Sequence, residues 1–482
     1  MTKRNRFEPA RLLVFGFCLG AIGLAFVDVL RGSWDHDSGL FLLLSSYVSS
    51  GLVPYIDFRT MYTPLMIVID SVPFVIGIPP WIIAITLPLA WISANVVVTY
   101  LLTWKYTGDS RAALVIAGLY PLFCIENGGN HVTLEHGVVF FTSLALLFSM
   151  RESPWASGLA AGAMLGLAFL SKQVALISCI SWMLIAVWTF KDSRLRRIGL
   201  GILGFVLTMI PLLVLLLLAW RRDGDGETSF DLFQQYVQES TQIHLSVIWN
   251  EFQRSPFTAW LVLLCVLLLG LFLARPWHPE DRVYALAFGI PLALYFAPRM
   301  LRNYPHYDLN AWPFLAMTLA YALKHYPGVF KKMVPAALAG LLVLGYGWNW
   351  QGLVASGHFD RWTRPNLLFT TFRPVAERMS AILLPGEKFF NAGDFSEFEL
   401  LTGHFPKDLS RTYGFCPDFK SCVDYYDYLG KPTERLALVA DVGQAAAGQK
   451  RSELLTSGYH MLESFSEDPR IRVELYLRSD TQ

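Results

Sequence analysis

The sequence predicts an α-helical polytopic membrane protein with a small α/β domain at its C-terminal end. Three observations carry that prediction. Apolar runs near the ~20 residues that cross a bilayer recur up to Trp350. The 482-residue chain is 54% hydrophobic and 16% charged, against roughly 25% charged in soluble domains. Past Trp350 the runs stop and an ordinary soluble composition takes over.

About eleven spans are expected, at 12–30, 81–104, 112–125, 136–150, 155–170, 174–190, 198–219, 257–274, 283–298, 308–323 and 333–350. The first follows Lys3, Arg4 and Arg6 and resembles a signal peptide, but it is longer than a usual apolar signal region. No small-x-small cleavage site follows it, so it is read as a retained span. The run from Pro64 to Ile78 is also apolar, but it is short and interrupted by Asp70 and Pro73. Charge decides its placement. With that run on the surface, the inner loops hold roughly twice as many Lys and Arg as the outer segments, Lys105, Arg151 and Lys191 among them. Counting it as a span puts the basic loops outside. The expected topology therefore has a cytoplasmic N-terminus, an extracytoplasmic C-terminus, and a pair of surface helices in the first outer loop. The expected location is the inner (plasma) membrane.

Residues 1–350 form the membrane domain in this reading, and 351–482 an extracytoplasmic α/β domain. Lys388–Asn391, Arg435–Ala440 and Ile471–Leu477 look like strands. Ala376–Leu383, Glu397–Leu401 and Gln444–Ser457 look like helices. No Gly/Ser linker separates the two parts, so the outer domain should rest on the membrane body. A net charge of +1 without a basic run argues against nucleic acid. The 34 Phe, 20 Tyr and 15 Trp suit apolar surfaces and interfacial belts. Cys18, Cys124, Cys179 and Cys265 fall in or near spans and read as packing residues. Cys416 and Cys422 lie in the outer domain, where an oxidising compartment favours a disulfide.

The most informative stretch follows the first span. Asp35 and Asp37 flank His36, then come Gly51-x-x-Pro54-Tyr55-x-Asp57, Arg59 and Tyr62-Thr63-Pro64-Leu65. Carboxylates at a bilayer edge are costly unless they stay wet or form a site. Two so close can hold a metal ion, or raise one pKa into the range of a general base. Either can also simply N-cap a helix over 38–50. Three further polar clusters fall on the same expected face: Glu126 to His136, Lys172, and Arg299, Arg302, Tyr304, His306 and Tyr307. Glu135 reads either as a site carboxylate or as part of a solvated loop capped by Thr133. Lys172 reads as a phosphate ligand or as a snorkelling lysine. Arg302 can clamp a phosphate, while Tyr304 and Tyr307 can serve as interfacial anchors.

The order Asp37, Gly51-x-x-Pro54-Tyr55-x-Asp57, Pro64-Leu65 resembles the first outer loop of GT-C glycosyltransferases. These are membrane enzymes that use polyprenyl-phosphate-linked sugars, such as the aminoarabinose and protein O-mannosyl transferases. The likeness continues through 130–140 and 162–173 and more loosely through 299–313. The family usually has Asp-Glu where this chain has Asp37-Ser38, and often Lys-Pro-Pro where it has Tyr62-Thr63-Pro64. The resemblance implies Asp37 or Asp35 as catalytic base and Glu135 as the second acidic group. It implies Arg59, Lys172, Tyr62, Arg302 and His306 around the lipid-phosphate sugar. The acceptor would be a glycan, lipid or protein, and the transfer would be inverting. The sequence names no cofactor; Asp35, Asp37 and Glu135 are the donors a Mg²⁺ or Mn²⁺ ion would take. The rival classes are a flippase or transporter for lipid-linked saccharides, and an oligosaccharide polymerase or ligase. Transporters place polar groups near the midplane, whereas here they gather at one face.

Overall fold

The computed structural model describes residues 23, 25–30, 36–58, 60, 62–189, 193–223, 256–274, 281–301, 305–325, 371–391, 397–403, 434–441, 445–466 and 471–479. The last expected span, 333–350, lies outside the described residues, as do Cys416 and Cys422.

The first long loop, expected on the outer face, holds two helices, α1 (His36–Ser49) and α2 (Leu65–Val75). At 11 residues α2 is about 16 Å long, far short of a ~30 Å hydrocarbon core. Between them Gly51 (φ +87°) turns the chain out of α1 in the left-handed region that glycine adopts without strain. Tyr55 holds φ +67° without that freedom. A web of bonds enforces it: the backbone N–H of Val53 donates to Asp57 Oδ2 (2.8 Å), and Tyr55 donates its hydroxyl to the Tyr62 carbonyl (2.6 Å). The Gly-Pro-Tyr-Asp pattern thus folds the loop on itself.

The membrane body begins with α3 (Pro80–Thr107), which starts on a helix-compatible proline and ends at Gly108 in the left-handed conformation. Asp109 caps the next helix, α4 (Ser110–Glu126), through the Arg111 N–H (2.9 Å). So tight a connection makes α3 and α4 antiparallel neighbours. Then follow α5 (Glu135–Ser149), a wide π-type turn at Trp155–Ala160, and α6 (Ala161–Ser171). A 3₁₀ turn at Gln173–Ile177 leads into α7 (Ser178–Thr189), followed by α8 (Arg194–Asp223), α9 (Pro256–Ala274) and α10 (Asp281–Leu301). A second 3₁₀ turn, Pro305–Ala311, precedes α11 (Trp312–His325).

Among the described residues, 3 helices are long and apolar enough to cross a membrane: Pro80–Thr107, Arg194–Leu218 and Phe257–Ala274. Four further expected spans, 136–150, 155–170, 174–190 and 283–298, coincide with shorter apolar helices, two of them entered through a π or a 3₁₀ turn; of 12–30 only residues 23 and 25–30 are described. Hydropathy cannot foresee those breaks, because the apolar run continues through them.

The core lies where α11 packs against α3 and α4. Trp312 is fully buried, its ring 5.3 Å from both Tyr120 and Phe123, and its indole N–H donates to Thr99 Oγ1 (3.0 Å). That bond satisfies the polar tip of a side chain otherwise suited to an apolar interior. By contrast α8 leaves Ile202, Val206, Leu207, Ile210 and Leu213 exposed, as a helix bordering lipid does. On its other side α8 meets α6 through glycines. A Cβ on Gly162 would sit 2.0 Å from the Gly201 carbonyl oxygen, and one on Gly204 would sit 2.2 Å from that of Leu159. Backbones approach this closely only where side chains are missing, and between membrane helices packing of this kind replaces the hydrophobic effect.

Beyond the membrane body, α12 (Arg373–Ile382), β1 (Phe389–Asn391), α13 (Glu397–Thr402), β2 (Leu436–Asp441), α14 (Ala445–Thr456), β3 (Tyr459–Phe465) and β4 (Arg472–Arg478) build the C-terminal α/β part, the one expected to be the outer domain. The sheet order is β1-β2-β4-β3, with β1 parallel to β2 and the other pairs antiparallel. Strand β3 is not foreseen in the sequence. It lies at the sheet edge with most residues exposed, so it lacks the apolar run that marks its neighbours. Leu400 of α13 is buried in one cluster with Leu40 to Leu44 of α1. The Arg373 guanidinium lies 5.3 Å from the Trp81 ring at the start of α3. The C-terminal α/β part therefore rests on the first loop and on one end of the helical body.

Candidate active site

Glu135 opens α5 and is completely buried. A carboxylate in that position demands a partner. Lys172 supplies it: the ammonium donates to Glu135 Oε1, and Thr133 donates its hydroxyl to Oε2. Lys172 is itself buried, closes α6 in an extended conformation, and lies 4.0 Å from the centre of the Tyr307 ring. The ring face offers the cation a second attractive surface. Three segments far apart in sequence thus meet at one buried charge pair. The loop before α5 is not solvated, and Leu134 rather than Thr133 occupies the capping position. Thr133 binds the site carboxylate instead of the helix backbone.

The neighbourhood explains why the first loop belongs to the same end of the molecule. Gly137 follows Glu135-His136, and a Cβ there would lie 2.2 Å from Met66 Sδ of α2 and 2.7 Å from Ser171 Oγ. The missing side chain lets α2 settle between the ends of α5 and α6. Tyr55 packs with Leu170, two residues before Lys172. Asn130 donates to Asp28 Oδ2 (2.5 Å), tying the loop before α5 to the helical segment 25–30.

Glu126 and His136 are committed to contacts within the fold. Glu126 accepts from the backbone N–H groups of Phe257 (3.2 Å) and Thr258 (2.8 Å) and from the Thr258 hydroxyl (3.0 Å). It caps α9, where helix N–H groups lack partners and negative charge is favoured. His136 has Nε2 2.8 Å from the Gly129 carbonyl, which can only accept. In the neutral ring Nδ1 then accepts from the Tyr120 hydroxyl (3.2 Å), so both nitrogens are committed. Tyr62 packs edge-on to Phe41 at 4.9 Å. Asp70 of α2 is buried and accepts from the Trp91 indole (3.1 Å). Burial pushes its carboxyl up to about 7, against the opposing pull of that hydrogen bond.

Of the residues expected at the site, the structure brings together Glu135 and Lys172 and seats Tyr62 in the adjacent loop. Asp37 lies in the first turn of α1, which begins at His36 and not at residue 38. Its side chain, like that of His306 in the second 3₁₀ turn, is outside the described part. Asp35, Arg59 and Arg302 are outside the described residues altogether. Tyr307, expected to anchor the interface, lies against the Lys172 ammonium, a contact that sequence reasoning does not single out. Its neighbour Asp308 is fully buried; the cue for both was a Tyr-Asp pair directly before an apolar run, where only a sheltered carboxylate is tolerable.

As a metal site the described part fits poorly. Both Glu135 oxygens are engaged by an ammonium and a hydroxyl, and a divalent cation would have to lie against Lys172. Among the described residues no three His, Cys, Asp or Glu side chains group as ligands.

No protein-family model and no curated protein matches the sequence. Solved structures do. The oligosaccharyltransferase of Archaeoglobus fulgidus, crystallised with Zn and sulfate, superposes with a TM-score of 0.52 at 13% identity, covering 88% of this chain and 67% of that one. Arabinosyltransferase EmbB of Mycobacterium smegmatis gives 0.40 at 12% identity, covering 67% of this chain and 32% of that one, a likeness too slight to build on. The superposition shows a shared fold: this chain is built like the membrane-embedded oligosaccharyltransferase of Archaeoglobus fulgidus.

Proposed function

We propose that this protein transfers a sugar from a polyprenyl-phosphate donor to an acceptor at the outer face of the membrane, with inversion at the anomeric carbon. The observation that carries the reading is the buried Glu135–Lys172 pair, set against the first loop in a glycosyltransferase fold. Buried charges that do not serve packing mark sites more often than scaffolds.

In this reading Asp37 or Asp35 takes the proton from the acceptor hydroxyl or amine as it attacks the anomeric carbon, opposite the departing phosphate. Lys172 faces the growing phosphate charge together with Arg59 and Arg302, and Tyr62 and His306 flank the donor. Glu135 keeps the ammonium oriented before substrate arrives. Such preorganised charge is usually the largest contribution to catalysis. An ammonium has three N–H donors; Glu135 engages one, which leaves donors for a phosphate. Transfer of a whole oligosaccharide is the second reading, favoured by the likeness to an oligosaccharyltransferase.

The test is Asp37→Asn beside Asp35→Asn, assayed with a polyprenyl-phosphate sugar in proteoliposomes. Loss of the base should slow transfer by roughly 10²–10⁴-fold, while Asn still caps a helix and the protein should remain folded. Full activity in both variants and in their combination would remove the proposed chemistry and return a transporter reading to the front.

A further inference from the structure

At the opposite end of the helices lies a cavity of about 540 Å³ that the proposed reaction does not use. Its size falls in the usual range for small-molecule sites. It is lined by Lys105 from the last turn of α3, by Phe148 and Met150 around the end of α5, and by Arg151, Glu152, Ser153 and Ala156. Helix α5 separates it from Glu135 by about 22 Å of rise. Helix α3 carries Trp81, the contact of the outer domain, at its other end. Two exposed tryptophans, Trp104 and Trp155, adjoin the cavity, and exposed Trp in a membrane protein marks the headgroup level.

The rim is built before anything binds. Arg197, buried at the start of α8, donates to the carbonyls of Arg151 (3.1 Å) and Glu152 and to the Ser157 hydroxyl. The Trp182 indole holds the Ser157 carbonyl (3.1 Å). This bonding fixes the backbone of the turn while leaving the side chains of Arg151 and Glu152 exposed. Among the described residues, the charged ends of Lys105, Arg151 and Glu152 form no ion pair with one another.

We propose that this cavity binds the headgroup of an amine-bearing phospholipid, of the phosphatidylethanolamine type, in the leaflet opposite the candidate active site. Lys105 and Arg151 receive the phosphodiester, Glu152 accepts from the primary ammonium, and Phe148 and Met150 meet the start of the acyl chains. Two cations and one carboxylate around one cavity match a phosphate and an amine better than a purely anionic headgroup.

The experiment titrates the purified full-length protein in neutral detergent with dioleoyl phosphatidylethanolamine, phosphatidylcholine or phosphatidylglycerol, reading bound lipid by native mass spectrometry. The amine lipid should half-saturate at roughly tenfold lower concentration than the choline lipid, which has no N–H to donate. Lys105→Gln with Arg151→Gln should weaken it roughly 30-fold, at about a fivefold loss per headgroup-facing charge. Glu152→Gln should abolish the preference for the amine while sparing phosphatidylglycerol. Arg194→Gln with Arg196→Gln removes two other exposed charges from the start of α8 and should change nothing. An equal loss in that control, or a preference for phosphatidylglycerol that ignores Glu152, would overturn the proposal. So would soluble glycerophosphoethanolamine competing as well as the lipid, which would make the ligand a free phosphoamine.

Discussion

Glu135 shows what a single residue can tolerate when its surroundings are right. With no exposed surface, it has both of its oxygens bonded, one by Lys172 and one by Thr133. Removing one member of a buried pair strands the other, which typically costs about 3–5 kcal/mol, whereas replacing both is far milder. Lys172→Met should therefore lower the unfolding temperature in detergent more than Lys172→Met combined with Glu135→Gln. Equal losses would mean the two side chains do not pair. The sequence pointed to both residues as polar exceptions in an apolar setting. That they bind each other, 37 positions apart, was not legible, because no local pattern encodes which exceptions will meet. For the same reason the sequence does not show that Glu126 and His136, in the same polar cluster as Glu135, hold helices and loops together.

Among the elements, the pairing of α6 with α8 depends on side chains that are not there. Gly158, Gly162 and Gly166 recur every four residues, so they share one helix face. Each would clash through an added Cβ with the backbone or side chains of α8. Gly162→Val should cost more than the ~1–3 kcal/mol of ordinary overpacking, since the Gly201 backbone cannot move aside as a side chain would. The yield of monodisperse protein on size-exclusion chromatography should fall sharply. Gly199→Ala in the same α8, with nothing within 4 Å of its Cβ, should be neutral or gain up to about 1 kcal/mol in helix propensity. Equal yields from both variants would show that the close approach is absent. The glycine spacing was in plain view in the sequence, but small residues are common in membrane helices, and only the facing glycines of α8 give the spacing meaning.

On the scale of the whole molecule, sidedness joins the parts. Reporter fusions after Lys105, Lys191 and Lys332 should read cytoplasm, and fusions after Asp57, Lys172 and Ser356 should read outside. If α2 and the segments around it crossed the bilayer, the first loop and Glu135 would face opposite sides. The contacts of Gly137 with Met66 and of Leu400 with the α1 cluster would then be broken.

The amino-acid sequence by itself determined the class of molecule, many of the apolar helices and most elements of the C-terminal α/β part. Those depend on composition and on periodicity within 10 to 20 neighbours, which hydropathy and strand propensity capture. It also marked the polar residues worth asking about. Tertiary structure alone decided where apolar runs break into 3₁₀ and π turns, which edge strand completes the sheet, and which polar residues meet. The physical reason is the same in each case. A buried charge, an exposed strand edge or a missing Cβ acquires its energy from what lies opposite, and what lies opposite comes from elsewhere in the chain.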